Sequence, residues 1–460
     1  MQKKVVLLLG FLIILILGTT SRSQDSYDGG KSLPYTSPSG PLSGSTEYID
    51  IQEPTGPITL RHALQLALMR NPDLAAYSWE VRAKEAGKLQ AKLLPNPEIE
   101  FEVEEFGGTG DLTGYDSAAT TVQLSQLVLL GGKRGKATRV AKHEWELAGW
   151  DYESKRLDVL TETTKRFIEV LDAQSRLKLG EDYFDLAQEV FTVVSDKVQA
   201  GKVSPVEQSK AQVVLSSSEI ELDQAKRNLR AARQDLAAMW GSTIATFTGA
   251  RGDLAEIEEP PPLDQLLKWI EENPDLARWQ TEIELNRAAL DSAKADAIPD
   301  LTLFAGVQTF NETDDSAYVA GLSVPVPLFN RNQGGIKAAQ HHLSRSEQER
   351  IAAEIRVKTA LTRAYQNLSA SYQASVTLKN QVLPSSRLAF DSTKEGYRLG
   401  KFGYLDVLDA QRTLFETEAR YLSALADYHR SRAEVERLIG MELGAVDYPT
   451  VREEEANDEK

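Results

Sequence analysis

PEIEFEVEEF, residues Pro97 to Phe106, sets Ile99, Phe101 and Val103 against Glu98, Glu100, Glu102 and Glu104 in strict alternation. Side chains of an extended strand alternate between two faces, so one face of this stretch is apolar and the other carries only carboxylates. The same period returns in the run from Ala118 to Leu129, where Val122 and Leu124 oppose Thr121, Gln123 and Ser125. Two later runs repeat it. Leu301, Leu303, Ala305 and Val307 alternate with Thr302, Gly306 and Gln308, and Tyr318, Ala320, Leu322 and Val324 alternate with Val319, Gly321 and Ser323. Polar tips join each pair: GGTGDLTGYDS at Gly107 to Ser117 and NETDD at Asn311 to Asp315. Four strands are therefore expected over residues 97–106, 118–129, 300–310 and 316–327. Each is about ten residues, the length that crosses an outer membrane on a tilt.

Four strands cannot close a barrel, and an open sheet edge in lipid leaves backbone donors and acceptors unsatisfied at several kcal/mol each. Three copies of the chain supply twelve strands, enough for a barrel with a lumen. Glu98, Glu100, Glu102 and Glu104 then line that lumen or form a solvated strand face. A hairpin packed on the protein's own helices shows the same alternation and stays open as the competing arrangement.

The two pairs of strands belong to an internal duplication. NPDLA stands at Asn71 to Ala75 and again at Asn273 to Ala277, and Pro97 and Pro299 keep the same shift. Leu124-Ser125 matches Leu322-Ser323, Gly201-Lys202 matches Gly400-Lys401, Ala211-Gln212 matches Ala410-Gln411, and Gly241 matches Gly440. Matches in one order at nearly constant offset define two copies of a unit far longer than a solenoid repeat. The copies span residues 58–241 and 263–440, with a linker over 242–262. Each reads helix, strand, strand, long helix, helix.

Apolar periodicity places helices at Leu60 to Arg70, Pro72 to Leu94, Leu263 to Glu272 and Pro274 to Ala297, with the prolines at helix starts where their missing N–H is harmless. From Lys133 to Gln199 the composition is helical and almost free of Gly and Pro; such a segment measures about 100 Å if unbroken. In the helix that follows, Leu215, Leu222, Leu229 and Leu236 recur every seven residues with Ser218, Ala225, Ala232 and Met239 beside them. The second copy holds Leu414, Tyr421, Tyr428 and Val435 with Thr417, Ala424, Ser431 and Leu438. Sustained heptads call for left-handed helix pairing, and the small companions allow close approach.

The N-terminus reads as a signal peptide over residues 1–23: Lys3 and Lys4, an apolar stretch from Val5 to Leu17 too short to span a bilayer, and a small-x-small site at Ser21-Arg22-Ser23. Residues 24–57 are a flexible Gly/Ser/Pro-rich extension and 441–460 an acidic tail. The formal charge is −16, which argues against nucleic acid as a partner. There is no cysteine, so disulfides, thiolate metal sites and acylation of an N-terminal cysteine are not expected. GGKRGK at Gly131 to Lys136 lacks both the leading glycine and the hydroxyl residue of a phosphate loop and reads as a strand-to-helix corner, like FNRNQGG in the second copy. His62, His143, His341, His342 and His429 form no metal-ligand spacing, and no nucleophile, base and orienting group assemble from spacing. No catalysis, cofactor or bound metal is expected.

The duplication, NPDLA after the short first helix, and GKFGYLDVLDAQ at Gly400 to Gln411 resemble the TolC family of outer-membrane efflux factors over residues 58–440. PVPLFNRNQGGI at Pro325 to Ile336 is similar to its heavy-metal branch. The resemblance implies a mainly α fold with a small transmembrane β part: a homotrimer whose twelve strands form a β-barrel in outer-membrane lipid and whose long antiparallel helices form a periplasmic α-barrel. Its implied partners are a periplasmic adaptor protein and an inner-membrane RND-type pump. It also implies a periplasmic gate where Asp406 and Asp409 ring the aperture, beside Lys401 and with Phe402 standing where the best-known member of the family has a basic residue that helps hold the tip shut. Only the second copy keeps both carboxylates, Glu207 and Lys210 being the equivalents. Asp406 has a second reading as a helix cap. The expected function is passive export, most directly of heavy-metal cations; a multidrug or protein-secretion duct, and a pore-less periplasmic scaffold or adhesin, are the alternatives.

Overall fold

The computed structural model describes residues 53–270 and 273–443. The expected signal segment, nearly all of the extension before Ile58 and nearly all of the acidic tail lie outside them. The chain runs β1 (Ile58–Thr59), α1 (Leu60–Arg70), α2 (Pro72–Ala91), β2 (Glu98–Glu104), β3 (Ala119–Val128), α3 (Lys133–Gln199), α4 (Pro205–Ala238) and β4 (Ala250–Arg251). It continues with α5 (Leu263–Trp269), α6 (Pro274–Ala295), β5 (Leu301–Phe310), β6 (Asp315–Ser323), α7 (Gln333–Thr377), a π-helical turn (Leu378–Val382), α8 (Leu383–Arg398) and α9 (Tyr404–Ile439). The 67 residues of α3 form one helix, about 100 Å long. In the second copy the matching length is divided by the π turn.

The two copies lie side by side, and they stack three open layers. The sheet has the order β2-β3-β5-β6, antiparallel throughout, so β3 and β5 join the copies and β2 and β6 are edges. Next to the sheet the helices follow as α2, α3, α6, α7, and farther away as α4, α3, α9 and then α7 with α8. In each layer the first copy supplies one border and the second copy the other.

The apolar alternation of β2 continues across the sheet. Ile99 faces Leu124, which faces Ala305 and then Ala320; Phe101 faces Val122, Val307 and Tyr318 in turn. This face is not covered by the helices: Ile99 is 79% and Phe101 68% exposed. On the other face Glu98, Ser125, Phe304 and Gly321 are aligned, and Glu100, Gln123, Gly306 and Val319 beside them. Gly321 lies against the Phe304 ring, which an added Cβ would meet at 2.5 Å. The strands are somewhat shorter than the alternation suggested, because Pro325 and Pro327 cannot donate to a ladder and β6 ends at Ser323.

The core lies in the helical layers. Phe167, Val170, Leu171, Leu236, Phe247 and Leu425 are buried together midway, Leu361, Leu368, Tyr428, Val435 and Ile439 form a second cluster, and a third closes the end farthest from the sheet. The heptad positions of α9 are largely inside: Thr417, Ala424, Tyr428, Val435 and Leu438 are all buried. The segment 242–262 is a linker in connectivity but not in packing. Phe247 and Leu254 enter the core, β4 pairs in parallel with β1, and the Gln174 amide bonds Ala250 at both its N–H (2.6 Å) and its C=O (3.1 Å). Tyr428 Oη donates to Glu258 O at 2.8 Å.

The duplicated NPDLA has a structural reason. Asn71 Oδ1 accepts the Leu74 N–H at 2.9 Å, capping α2, while its Nδ2 donates to Met239 O at the end of α4 at 2.9 Å. Asn273 does both for the second copy, accepting from Asp275 N at 2.7 Å and donating to Arg437 O and Leu438 O of α9 at 3.0 and 2.8 Å. Each asparagine thus satisfies orphan groups at the start of one helix and the end of another. Gly241 and Gly440, both at φ 76°, end the helices that the asparagines hold. Beside the second lock, Arg437 binds Asp275 at 2.6 Å and Asp158 at 2.8 Å, tying α9 to α6 and α3.

Replacing Asn273 with alanine should lower stability by about 1–2 kcal/mol, and Asn71→Ala by somewhat less, since Asn71 Nδ2 serves one carbonyl rather than two. Thermal loss of the helical circular dichroism measures this, and a midpoint unchanged from wild type would show that the lock carries nothing. Burial raises the Asp275 carboxyl, but the hydrogen bonds from Arg437 and Ser154 outweigh it and hold it below the ordinary value. A depressed carboxylate stabilises above its unfolded pKa of about 3.9. This share is lost as pH falls through the lower folded value, so Asp275→Asn should flatten the stability curve below about pH 4.

Candidate functional site

Two regions stand where a conduit would meet its cargo. The first is the carboxylate face of β2. Glu98, Glu100, Glu102 and Glu104 are all exposed and share one face of the sheet, and Glu100 accepts a hydrogen bond from Gln123 Nε2 at 2.6 Å. No cation of the chain neutralises them among the described residues.

The second is the far end of the helical layers, where the α3–α4 turn (Gly201 to Ser204) and the α8–α9 turn (Gly400 to Gly403) come together. Gly201 and Gly400 take left-handed φ of 68° and 76°, a conformation that closes both turns without strain. Beneath them Val190, Val194, Ala211, Phe390, Tyr397, Tyr404 and Val407 form one apolar cluster drawn from α3, α4, α8 and α9. The two hairpins are therefore packed as a unit. Tyr397 and Tyr404 flank the second turn with ring centroids 6.1 Å apart.

Asp406 Oδ2 accepts the Gly403 N–H at 2.8 Å, so it is a helix cap. Ser204 does the equivalent work in the first copy, its Oγ accepting the Val206 N–H at 3.3 Å. Asp409 lies exposed one turn on. The Phe402 ring crosses Gly396, where an added Cβ would overlap it, and the ring stays half exposed. The Lys401 N–H donates to Gly396 O at 2.7 Å while its side chain is exposed. Lys401 and Phe402 thus lie in the turn itself, and Asp406 and Asp409 on the first turns of α9.

Sequence reasoning missed the group that links the hairpins. Lys197 Nζ donates to Tyr397 O at 2.8 Å and sits 3.6 Å from the centre of the Tyr397 ring. Tyr397 Oη donates to Glu207 at 3.5 Å. Burial pulls the Lys197 ammonium below its ordinary value, with Glu207 pulling the other way. Burial also pushes the Tyr404 hydroxyl up, to about 12, helped by Tyr397, Tyr183 and Glu207. A lysine opposite a tyrosine 200 residues later carries no local pattern; only the twofold matching of the turns could have suggested it.

Elsewhere, His143 Nδ1 lies 2.9 Å from Glu146 Oε2, and His429 Nε2 lies 3.0 Å from Leu254 O, where burial lowers its pKa. Among the described residues no three His, Asp or Glu side chains converge as metal ligands. GGKRGK turns the corner into α3, with Lys133 Nζ donating to Asp300 at 2.8 Å. No described helix is long and apolar enough to cross a membrane.

An open sheet with an exposed apolar face, carried on rods of this length, is the fold of an outer-membrane channel protomer. The solved structure of the CusC channel superposes with a TM-score of 0.71 at 17% identity, covering 83% of this chain and 92% of that one. The chain belongs to the outer membrane efflux protein family, whose pattern matches residues 63–242 and 267–441. It is similar to the cobalt-zinc-cadmium resistance protein CzcC of Cupriavidus metallidurans, with 35% identity over 389 residues, 85% of this chain and 91% of that protein. It is also similar to the nickel-cobalt-cadmium resistance protein NccC of Alcaligenes xylosoxydans xylosoxydans, with 25% identity over 308 residues, 67% of this chain and 70% of that protein.

The Tyr404 hydroxyl is buried with no partner among the described residues, so Tyr404→Phe should be neutral or stabilising by up to about 1 kcal/mol. Tyr397→Ala, which takes the ring out of the cluster and away from Lys197 while leaving the carbonyl that Lys197 bonds, should cost about 3 kcal/mol. Thermal midpoints of the two variants, compared with wild type, check both; a Tyr404→Phe loss as large as that of Tyr397→Ala would place a partner on the hydroxyl.

Proposed function

We propose that the chain is the outer-membrane channel of a tripartite efflux system and a passive conduit for heavy-metal cations. The observation that carries this reading is the sheet: a continuous apolar face turned to the outside, and two edges, β2 and β6, that no segment of the described chain pairs. In lipid those edges need neighbours. A threefold ring in which β6 of one copy meets β2 of the next gives twelve strands, and the same step brings the α4 and α2 borders of one copy against the α7 and α8 borders of another. The helical part then stands in the periplasm, where an adaptor and an inner-membrane pump engage it. Export through a cleaved signal peptide fits this location.

Metal cations are favoured as cargo by the resistance functions that the names of CzcC and NccC state, and by weak, repeated carboxylate contacts along the path: Glu98, Glu100, Glu102 and Glu104 in the barrel, Asp406 and Asp409 at the aperture. With Asp406 capping α9, Asp409 is the freer of the two to face passing ions. Phe402 and Lys401 frame the same opening.

In a planar bilayer, Asp409→Asn should reduce cation selectivity and block by divalent ions more than Asp406→Asn, and the double variant most of all. Unchanged selectivity in the double variant removes both from the constriction. A deletion strain should become sensitive to cobalt, zinc or cadmium salts and be rescued by the wild-type chain; growth equal to the parent on every metal tested sinks the cargo assignment.

A further inference from the structure

The ends of α2, α3 and α7 that adjoin the sheet have a charge opposite to that of the chain. From Gly131 to His143 the start of α3 carries Lys133, Arg134, Lys136, Arg139 and Lys142 with no carboxylate before Glu144. From Val324 to Ser346 the approach to α7 and its first turns carry Arg331, Lys337 and Arg345 with none before Glu347. The last turns of α2 add Lys88 and Lys92. This concentration stands in a protein of net charge −16.

These segments are gathered at one level. Lys133 and the Leu130 N–H both bind Asp300 at the start of β5, at 2.8 and 2.9 Å. Thr138 Oγ1 donates to Ala91 O at 3.2 Å, and Asn332 Nδ2 to Ala293 O at 2.8 Å. The carboxylates brought here by α6 are few: Asp300 is taken, Asp291 lies 3.8 Å from Lys294, and Asp296 remains. Lys142 is paired with Glu146 at 3.4 Å and Lys88 lies over the Trp145 ring. Lys92, Arg134, Arg139 and Lys337 are exposed and have no ion pair among the described residues.

The same level is greasy. Phe329 is 89% exposed, Val326 74% and Leu328 65%, all in the connector between β6 and α7. Leu93 and Leu94 lie exposed between α2 and β2. This apolar band continues the outer face of the sheet through Leu322 and Val324. Basic side chains immediately beside an exposed aromatic and aliphatic band match one surface, the headgroup layer of a bilayer with anionic phospholipid. From Lys133 to Arg139 the helix climbs only about 9 Å, so the unpaired charges on it stay within a Debye length of about 8–10 Å of that layer.

We infer that Lys92, Arg134, Arg139 and Lys337, with Phe329 as the inserted side chain, form a collar that binds anionic phospholipid in the leaflet facing the helices. The inference rests on the outer-membrane reading above. It assigns the collar to the phosphate of a phosphatidylglycerol-type lipid.

The full chain is reconstituted into phosphatidylethanolamine vesicles with and without phosphatidylglycerol, floated on a density gradient, and the lipid retained after detergent extraction is measured by mass spectrometry. Phosphatidylglycerol should be enriched in the retained lipid over the vesicle average, and the enrichment should fade as salt is raised. Each neutralisation among Lys92→Gln, Arg134→Gln, Arg139→Gln and Lys337→Gln should reduce it by about fivefold at low salt. Phe329→Ser should reduce retention of both lipids. Wild-type protein that floats with the vesicles yet retains lipid at the vesicle average, with no salt effect, overturns the collar and leaves the channel standing. Protein that stays in the aqueous fractions overturns the channel reading itself.

Discussion

A backbone edge in lipid has no water to bond, and in the proposed outer-membrane arrangement that constraint shapes the chain. The four-stranded sheet keeps its apolar face outside and has two borders, and the helical layers beneath it repeat those borders down the whole length. Because each layer ends in the first copy on one side and the second copy on the other, a single rotation can satisfy sheet and helices together. The protomer's packing is spread along the helical layers: the mid-rod cluster around Phe167 and Phe247 and the far-end cluster around Tyr397 and Tyr404 each join residues of both copies, while the cluster around Leu361 and Ile439 belongs to the second copy.

Much of this was legible in the residues. The alternation of PEIEFEVEEF gave the two faces of β2, and its partners in the other three strands aligned by register, because a period of two leaves no freedom once one face must be apolar. The near absence of Gly and Pro from Lys133 to Gln199 predicted one rod, and one rod is found. The heptads of α9 are inside. NPDLA was legible as a repeat but not as a device: that the asparagine caps one helix and ties off another requires knowing that α4 and α9 return to the level of α2 and α6.

What escaped the sequence was non-local or lacked a period. The segment 242–262, rich in Pro and Glu, reads as a connection, yet Phe247 and Leu254 are core residues and the Gln174 amide fixes its backbone. The π turn at Leu378–Val382 sits just before Pro384, which has no N–H for the Asn380 carbonyl and crowds it, a signal carried by one residue rather than by a period. At the start of α9, Asp406 and Asp409 carry the same formal charge in the sequence but differ in the structure, one accepting the Gly403 N–H and the other exposed near Arg412. The Lys197–Tyr397–Glu207 link joins the adjacent helices α3 and α4 to α8, some 200 residues later.

The paired asparagines also make the molecule its own control. Whatever geometry demands of a position must reappear about 200 residues away, as Asn71 and Asn273 or Gly241 and Gly440 do; whatever has diverged, as Lys210 and Asp409 have, was released from that demand. Comparing the halves of one polypeptide therefore separates scaffolding from specialisation without reference to any other organism.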